Sequence, residues 1–145
     1  MNDDSNPTNY EHGPVTQESV DARHAKACAE KDCVVVEAQP DELFVDVDSY
    51  EALGIFHANL PRLGDLALSH ERRQSPSRKA GRYHIVVKLS RPVKDHYERI
   101  LLQCLLGSDL AREVLSWREA NAGVRNPSVF FEKAPVKAEK TAGEF

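Results

Sequence analysis

Two aspartates, a histidine and the basic residues near it are the groups in this sequence whose spacing suggests chemistry. Asp46 and Asp48 end one apolar stretch, and His84 begins another. Carboxylates two residues apart repel each other unless a cation lies beside them, and oxygen ligands of this kind suit Mg²⁺ or Mn²⁺. The pair therefore predicts a divalent metal site. The competing interpretation is that Arg82 or Lys88 neutralises both acids in a surface ion-pair network.

A basic segment surrounds the histidine. Residues 72–94 contain eight Lys or Arg and no Asp or Glu. The loop at 74–81 adds small residues whose backbone N–H groups, together with the cations, suit a phosphate group. Nucleotide or nucleic-acid phosphate is the predicted ligand. The candidate phosphate-binding residues are Ser75, Ser77, Arg78, Lys79, Arg82, His84 and Lys88.

Charge divides the 145-residue chain, whose formal net charge is -4, into an acidic start and a mildly basic remainder. Residues 1–42 hold ten acids and three bases, whereas residues 43–133 hold eleven acids and fourteen bases. We expect a flexible acidic arm at 1–32, one domain at 33–133 with its core at 43–133, and a disordered tail at 134–145. The acidic start and the lack of a long apolar run predict a cytoplasmic protein without membrane partners.

Hydrophobic spacing predicts the elements that must position these groups. In order, they are a strand at 43–48, a helix at 49–61, a strand at 66–71, a strand at 82–89, a helical region at 97–121 broken at Gly107, and a strand at 127–132. This order is typical of the ferredoxin-like split βαβ arrangement, an α+β class shared with the RNA-recognition module, in which helices cover one face of an antiparallel sheet. The run at 34–36 predicts an edge strand in a hairpin with 43–48.

Strand alternation assigns the polar groups to one face of that sheet. Asp46 and Asp48 lie opposite the apolar side chains of their strand, and His84 and Lys88 do the same in theirs. Because the apolar sets must face the helices, we expect these four polar residues on the open face. Tyr97 and Trp117 are interpreted as helix residues that pack on the sheet. Adjacent placement of the two strands brings the acids beside the histidine.

Two stretches, LFVDVD at 43–48 and SPSRKAGRYHIVV at 75–87, resemble the first two motifs of the archaeo-eukaryotic primase superfamily. That superfamily includes the primase-polymerases of plasmids and phages. The resemblance implies a reduced primase-polymerase palm of phage or plasmid replication, either active in nucleotidyl transfer with a partner protein or degenerate and limited to binding. It implies metal binding by Asp46 and Asp48, and contact of His84 with a nucleoside triphosphate. Ser77, Lys79 or Arg82 would assist that contact.

Other interpretations stay open. The third metal carboxylate of the family has two candidates here, Asp109 and Glu132. An RNA-recognition module would stack bases on open-face aromatic residues, for which Phe44 and either Phe130 or Phe131 are available. A small non-catalytic phage protein that binds nucleic acid or another protein is the alternative to an enzyme.

Overall fold

The computed structural model describes residues 14–74 and 81–134. The helices in these ranges are α1 (Gln17–Lys31), α2 (Tyr50–Asn59), α3 (His96–Leu105) and α4 (Leu110–Asn121), and a 3-10 segment spans Leu60–Leu66. The strands are β1 (Cys33–Glu37), β2 (Glu42–Val47), β3 (Ala67–Gln74), β4 (Tyr83–Leu89) and β5 (Val129–Lys133). The predicted α+β class is confirmed: helices accompany two small antiparallel sheets, an arrangement compatible with a ferredoxin-like fold.

Side-chain caps explain where the helices begin. Ser49 accepts a hydrogen bond from the N–H of Ala52 at the start of α2, and Asp95 accepts one from the N–H of Glu98 at the start of α3. Each cap satisfies a backbone donor that has no partner inside the helix. The predicted break at Gly107 is confirmed, since its φ of 87° lies in the left-handed region that ends α3.

The central sheet has the strand order β2-β4-β3, and both pairings are antiparallel. The predicted neighbours β2 and β4 are therefore adjacent, with Asp46 directly opposite His84 in the register. Leu43, Val45 and Val47 face the helices and form a core with Phe56. This half of the fold follows from the apolar residues at every second position, because a shift by one residue would turn these side chains away from the helices.

The first and last strands form a separate two-stranded ribbon. β1 pairs with β5, and Val35 lies opposite Phe131. The predicted hairpin between 34–36 and β2 is therefore wrong. The ribbon packs on the central sheet through Phe130, which stacks on Phe44 with a centroid distance of 4.3 Å. The predicted open face is thus covered, because burying its aromatic and valine side chains against the ribbon removes apolar surface from water.

The segment expected to be an unpacked arm contains a packed helix. Thr16 forms a reciprocal capping box at the start of α1, and Val20 is 1% exposed. Arg23 of the same helix donates to the buried carboxylate of Glu119 at 2.8 Å. The expectation of an arm without packing is therefore wrong from residue 17 onward. Residues 1–13, and the expected tail from 135 onward, lie outside the described residues. No helix within 14–74 and 81–134 is long and apolar enough to cross a bilayer.

Candidate functional site

The Asp46 and His84 side chains lie together, as the strand register predicts, but in a covered position. His84 Nε2 is 4.0 Å from Asp46 Oδ1. The His84 ring is 8% exposed and stacks on Phe130 with a centroid distance of 4.0 Å. Burial first, and then the positive charge of Arg112, lower the pKa of His84 to about 4. The imidazole is therefore neutral at neutral pH, and the strand face on which it lies is blocked by the ribbon.

Asp46 and Asp48 occupy different environments although they share a strand face. Asp48 is exposed, whereas the Asp46 side chain is 28% exposed. Burial raises the pKa of Asp46, and the charges of Arg112 and Arg82 oppose that rise. Lys88 has a different partner: its Nζ lies 3.0 Å from Asp41. Of the two bases proposed to neutralise the acids, Arg82 therefore acts on Asp46 and Lys88 is paired elsewhere.

A third carboxylate, Asp109, lies beside this pair. Its backbone N–H donates to the carbonyl of Asp46 at 2.8 Å. Its pKa is raised by burial, with further contributions from the charges of Asp46 and Asp48. No group of three or more His, Cys, Asp or Glu within 14–74 and 81–134 is arranged to hold a metal ion. These side chains alone supply fewer oxygen ligands than Mg²⁺ or Mn²⁺ takes, so a bound cation would need further ligands from water or a substrate.

A network of buried polar side chains hydrogen-bonds the backbone N–H and C=O groups along the edge of β2 that does not pair with β4. Gln103 Oε1 accepts the N–H of Phe44 at 2.7 Å, and Ser108 Oγ accepts the N–H of Asp46 at 2.9 Å. Arg112 donates to the carbonyl of Phe44 at 2.9 Å. Side chains from α3, α4 and the turn between them thus replace a neighbouring strand. An edge satisfied in this way is closed to pairing with another chain.

Glu113 joins these side chains at the centre of the network. Its carboxylate accepts hydrogen bonds from Gln103 at 2.9 Å, from Ser108 at 2.7 Å and from Arg112 at 2.6 Å. Burial raises the pKa of Glu113, and the Arg112 charge opposes that rise. None of these residues was among the functional groups predicted from the sequence. One sequence feature could have indicated the network. Gln103 is a polar residue three positions after Ile100, on the inward face of the predicted helix.

Acids from distant segments neutralise part of the basic segment. Arg73 contacts Glu71 and Glu132, each at 3.0 Å, and Glu132 belongs to the ribbon. Arg91 and Glu98 form two parallel hydrogen bonds at 2.9 and 3.0 Å. Together with Lys88, three of the six bases that the structure describes in this segment therefore have carboxylate partners. Glu132, proposed as a third metal carboxylate, serves as an ion-pair partner of Arg73.

The end of the hairpin formed by β3 and β4 carries further basic groups. The guanidinium of Arg72 lies over the Tyr83 ring, 4.5 Å from its centroid. Arg82 is half-buried and follows Gly81, whose φ is 81°. A Cβ at Gly81 would lie 3.0 Å from the backbone nitrogen of Tyr50, so both the backbone conformation and the space favour glycine. Four predicted phosphate-binding residues lie outside the described residues: Ser75, Ser77, Arg78 and Lys79.

Comparisons with known proteins give no family for the chain. No family model, no curated protein and no solved structure matches it.

Proposed function

We propose that the protein binds nucleic-acid phosphate, without catalysis, through the end of the β3–β4 hairpin. The observation that supports this is the arrangement of cations at that end. Arg72 is exposed near the end of β3, and Arg82 immediately precedes β4. The third cation, Arg73, is already paired with Glu71 and Glu132. The intervening residues 75–80 add Arg78 and Lys79.

Binding to phosphate fits this surface better than readout of bases. Phe44 and Phe130, two of the candidate stacking residues, are 1% and 2% exposed and stack on each other. They offer no face to a base. Phosphate contacts need only exposed cations and N–H groups and carry no sequence information. We therefore expect similar affinities for oligonucleotides of different sequence.

The test is fluorescence anisotropy of labelled single-stranded DNA, double-stranded DNA and RNA over a salt series. Affinity should fall steeply with salt, because each neutralised phosphate releases a counterion. The double variant Arg78→Ala/Lys79→Ala should weaken binding to every sequence and reduce the slope of log K against log[salt] by roughly 1.5.

A matched control removes the same charge elsewhere. Lys26 and Lys31 are exposed on α1, and Lys26→Ala/Lys31→Ala also removes two positive charges. This control should retain most of the affinity. Equal weakening by both double variants would indicate a general charge effect, and salt-independent binding or no binding would contradict the proposal. Deletion of residues 1–13, which hold three acids and no Lys or Arg, should strengthen binding slightly.

A divalent cation at the acidic cluster is the second candidate ligand. The observation that favours it is that the backbone N–H of Asp109 donates to the carbonyl of Asp46 at 2.8 Å, and that the charges of Asp46 and Asp48 help burial to raise the pKa of Asp109. A cation between such groups would relieve their repulsion. With a nucleoside triphosphate as the remaining ligand, this would be the nucleotidyltransferase site implied by the primase resemblance.

Titration with Mn²⁺, with and without a nucleoside triphosphate, tests this candidate by paramagnetic broadening of amide resonances. Broadening should centre on residues 46–48 and 109, and Asp46→Asn/Asp48→Asn should abolish it. Unchanged broadening in the double variant would contradict the metal site. A primer-synthesis assay on the same samples separates binding from nucleotidyl transfer.

A further inference from the structure

The outer face of the α3–α4 helical hairpin is apolar and exposed. The two helices run antiparallel, since Tyr97 near the start of α3 donates a hydrogen bond to Asn121 at the end of α4. Six large apolar residues of these helices are 38% to 68% exposed. They define the outer face: Tyr97, Leu101, Leu105, Leu110, Val114 and Trp117.

Helical spacing makes this face continuous. The α3 members lie at i, i+4 and i+8, and the α4 members at i, i+4 and i+7, so each set forms one stripe along its helix. Their exposed surface is on the order of 500 Å² per chain, within the roughly 300–600 Å² range of the largest patch on a typical monomer. Continuous patches of this size are often functional.

Charged residues of these helices lie on the inner face or at the rim. Glu113 and Glu119 are each 1% exposed and so point into the protein rather than onto the outer face. Glu98 at the edge of the α3 stripe is paired with Arg91. Asn121, which lies within the α4 stripe, is uncharged. An interface between identical chains places the same groups near each other, and this uncharged face avoids like-charge repulsion.

We propose that the outer face is the interface of a homodimer, in which the helical hairpins of two copies form an antiparallel four-helix bundle. The large aromatic residues Tyr97 and Trp117 lie toward one end of the face, and Leu105 and Leu110 lie at the other. A two-fold axis perpendicular to the helices places the aromatic end of one copy over the leucine end of the other. The face is therefore complementary to itself in size.

The available area agrees with a dimer of moderate affinity. Two copies of the face, with their rims, would bury roughly 1,200 Å² in total, the lower limit for specific stable interfaces. An apolar centre with charges at its edge, as here, is the usual composition of such an interface. The hairpin end that carries the proposed phosphate contacts lies on other elements, so the dimer does not depend on the proposed function.

Sedimentation equilibrium of the full chain over roughly 1 to 100 μM tests the dimer, a range suited to an interface of this size. We expect a concentration-dependent shift from the 16.2 kDa monomer to twice that mass. Leu101→Glu and Val114→Glu should each hold the chain at the monomer mass. Leu68→Glu is the matched control, because Leu68 on β3 is 64% exposed and Leu101 is 68% exposed.

Circular dichroism of every variant separates loss of association from loss of folding, and a folded Val114→Glu protein suffices if Leu101→Glu unfolds. A wild-type chain that stays monomeric at all concentrations would overturn the proposal and would favour a different protein as the occupant. Dimers that persist in both outer-face variants, or that are lost equally in Leu68→Glu, would also overturn it.

Discussion

The inner and outer faces of the α3–α4 helical hairpin differ in polarity, and the placement of several polar and apolar side chains is the reverse of that expected for surface helices. The inner face buries Arg99, Gln103, Glu113 and Glu119, whereas the outer face exposes Leu101 and other large apolar residues. Helices that pack on a sheet ordinarily bury their apolar stripe and expose their charges. Here the inward polar groups serve the backbone of neighbouring segments, and the outward apolar groups have no partner within the described chain.

This difference indicates that the two faces have different requirements. Buried polar groups are tolerated only when they are hydrogen-bonded, and the four buried polar side chains just named meet that condition. Arg99, for example, donates to the carbonyls of Gln39 at 2.8 Å and Glu42 at 3.0 Å. The outer face contributes little to the fold of one chain, since its side chains stay in water. Variants on the inner face should therefore change the stability of the single chain, and variants on the outer face should change its association.

The largest effect is expected from breaking the inner network. Glu113→Ala leaves the guanidinium of Arg112, 15% exposed, without its carboxylate partner. Loss of one partner from a buried ion pair costs about 3–5 kcal/mol of unfolding free energy. Urea denaturation at pH 7 measures it. The control Glu30→Ala removes the same side chain from an exposed position on α1 and should cost less than about 0.5 kcal/mol. Equal losses would contradict the structural role of the network.

Two consecutive residues of α3 compare the faces directly. Ile100 is 8% exposed and Leu101 is 68% exposed. Ile100→Ala should cost about 2–4 kcal/mol, because it removes buried methyl groups and leaves a cavity. Leu101→Ala should cost less than about 0.5 kcal/mol when the chain is dilute and monomeric.

Thermal denaturation at several protein concentrations extends this comparison. The wild-type midpoint should rise with concentration, since a dimer stabilises the folded state by mass action, and that rise should vanish in Leu101→Ala. A large loss for Leu101→Ala in dilute solution would show instead that the outer face supports the fold of the single chain.

A smaller, pH-dependent effect is expected from His84, which lies beside the inner network. Its pKa is about 4 in the folded protein, against 6.5 for an unperturbed histidine. The unfolded chain therefore binds the proton more tightly, and stability is lost as pH falls below about 6.5. Between pH 7 and pH 5 this contribution amounts to about 2 kcal/mol.

His84→Phe, which retains a ring against Phe130, isolates this contribution. The raised pKa values of Asp46 and Glu113 act in the opposite direction, because these groups bind protons more tightly in the folded state. Both acids are present in wild type and variant, so the difference between the two profiles of unfolding free energy against pH measures the contribution of His84. Parallel profiles would contradict the depressed pKa.

The pairing of β2 with β4 illustrates what could be predicted from sequence. Apolar residues recur at every second position of both strands, and that pattern assigns the core-facing side chains and places Asp46 and His84 on the same opposite face. The beginnings of α2 and α3 were also accessible, because a capping side chain acts within three residues of itself. These features depend on short-range geometry, which a sequence displays directly.

The covering of that strand face could not be predicted. The valines of β1 indicate a strand but not its partner, and they pair with β5, almost one hundred residues away. The ion-pair partners of the basic segment could not be predicted either. Arg73 pairs with a carboxylate on β5, and Lys88 pairs with one just before β2. Distances of this kind depend on how separate elements pack.

The sequence by itself determined the α+β class, the alternation of the central strands and the concentration of positive charge between residues 72 and 94. Only the tertiary structure decided that His84 is covered, that Glu113 is buried among hydrogen-bond donors and that Leu101 faces water. The physical reason is that periodicity identifies the faces of a strand or helix but not what lies against each face. The free energy of burying a face depends on its partner, and that partner is specified by the whole fold.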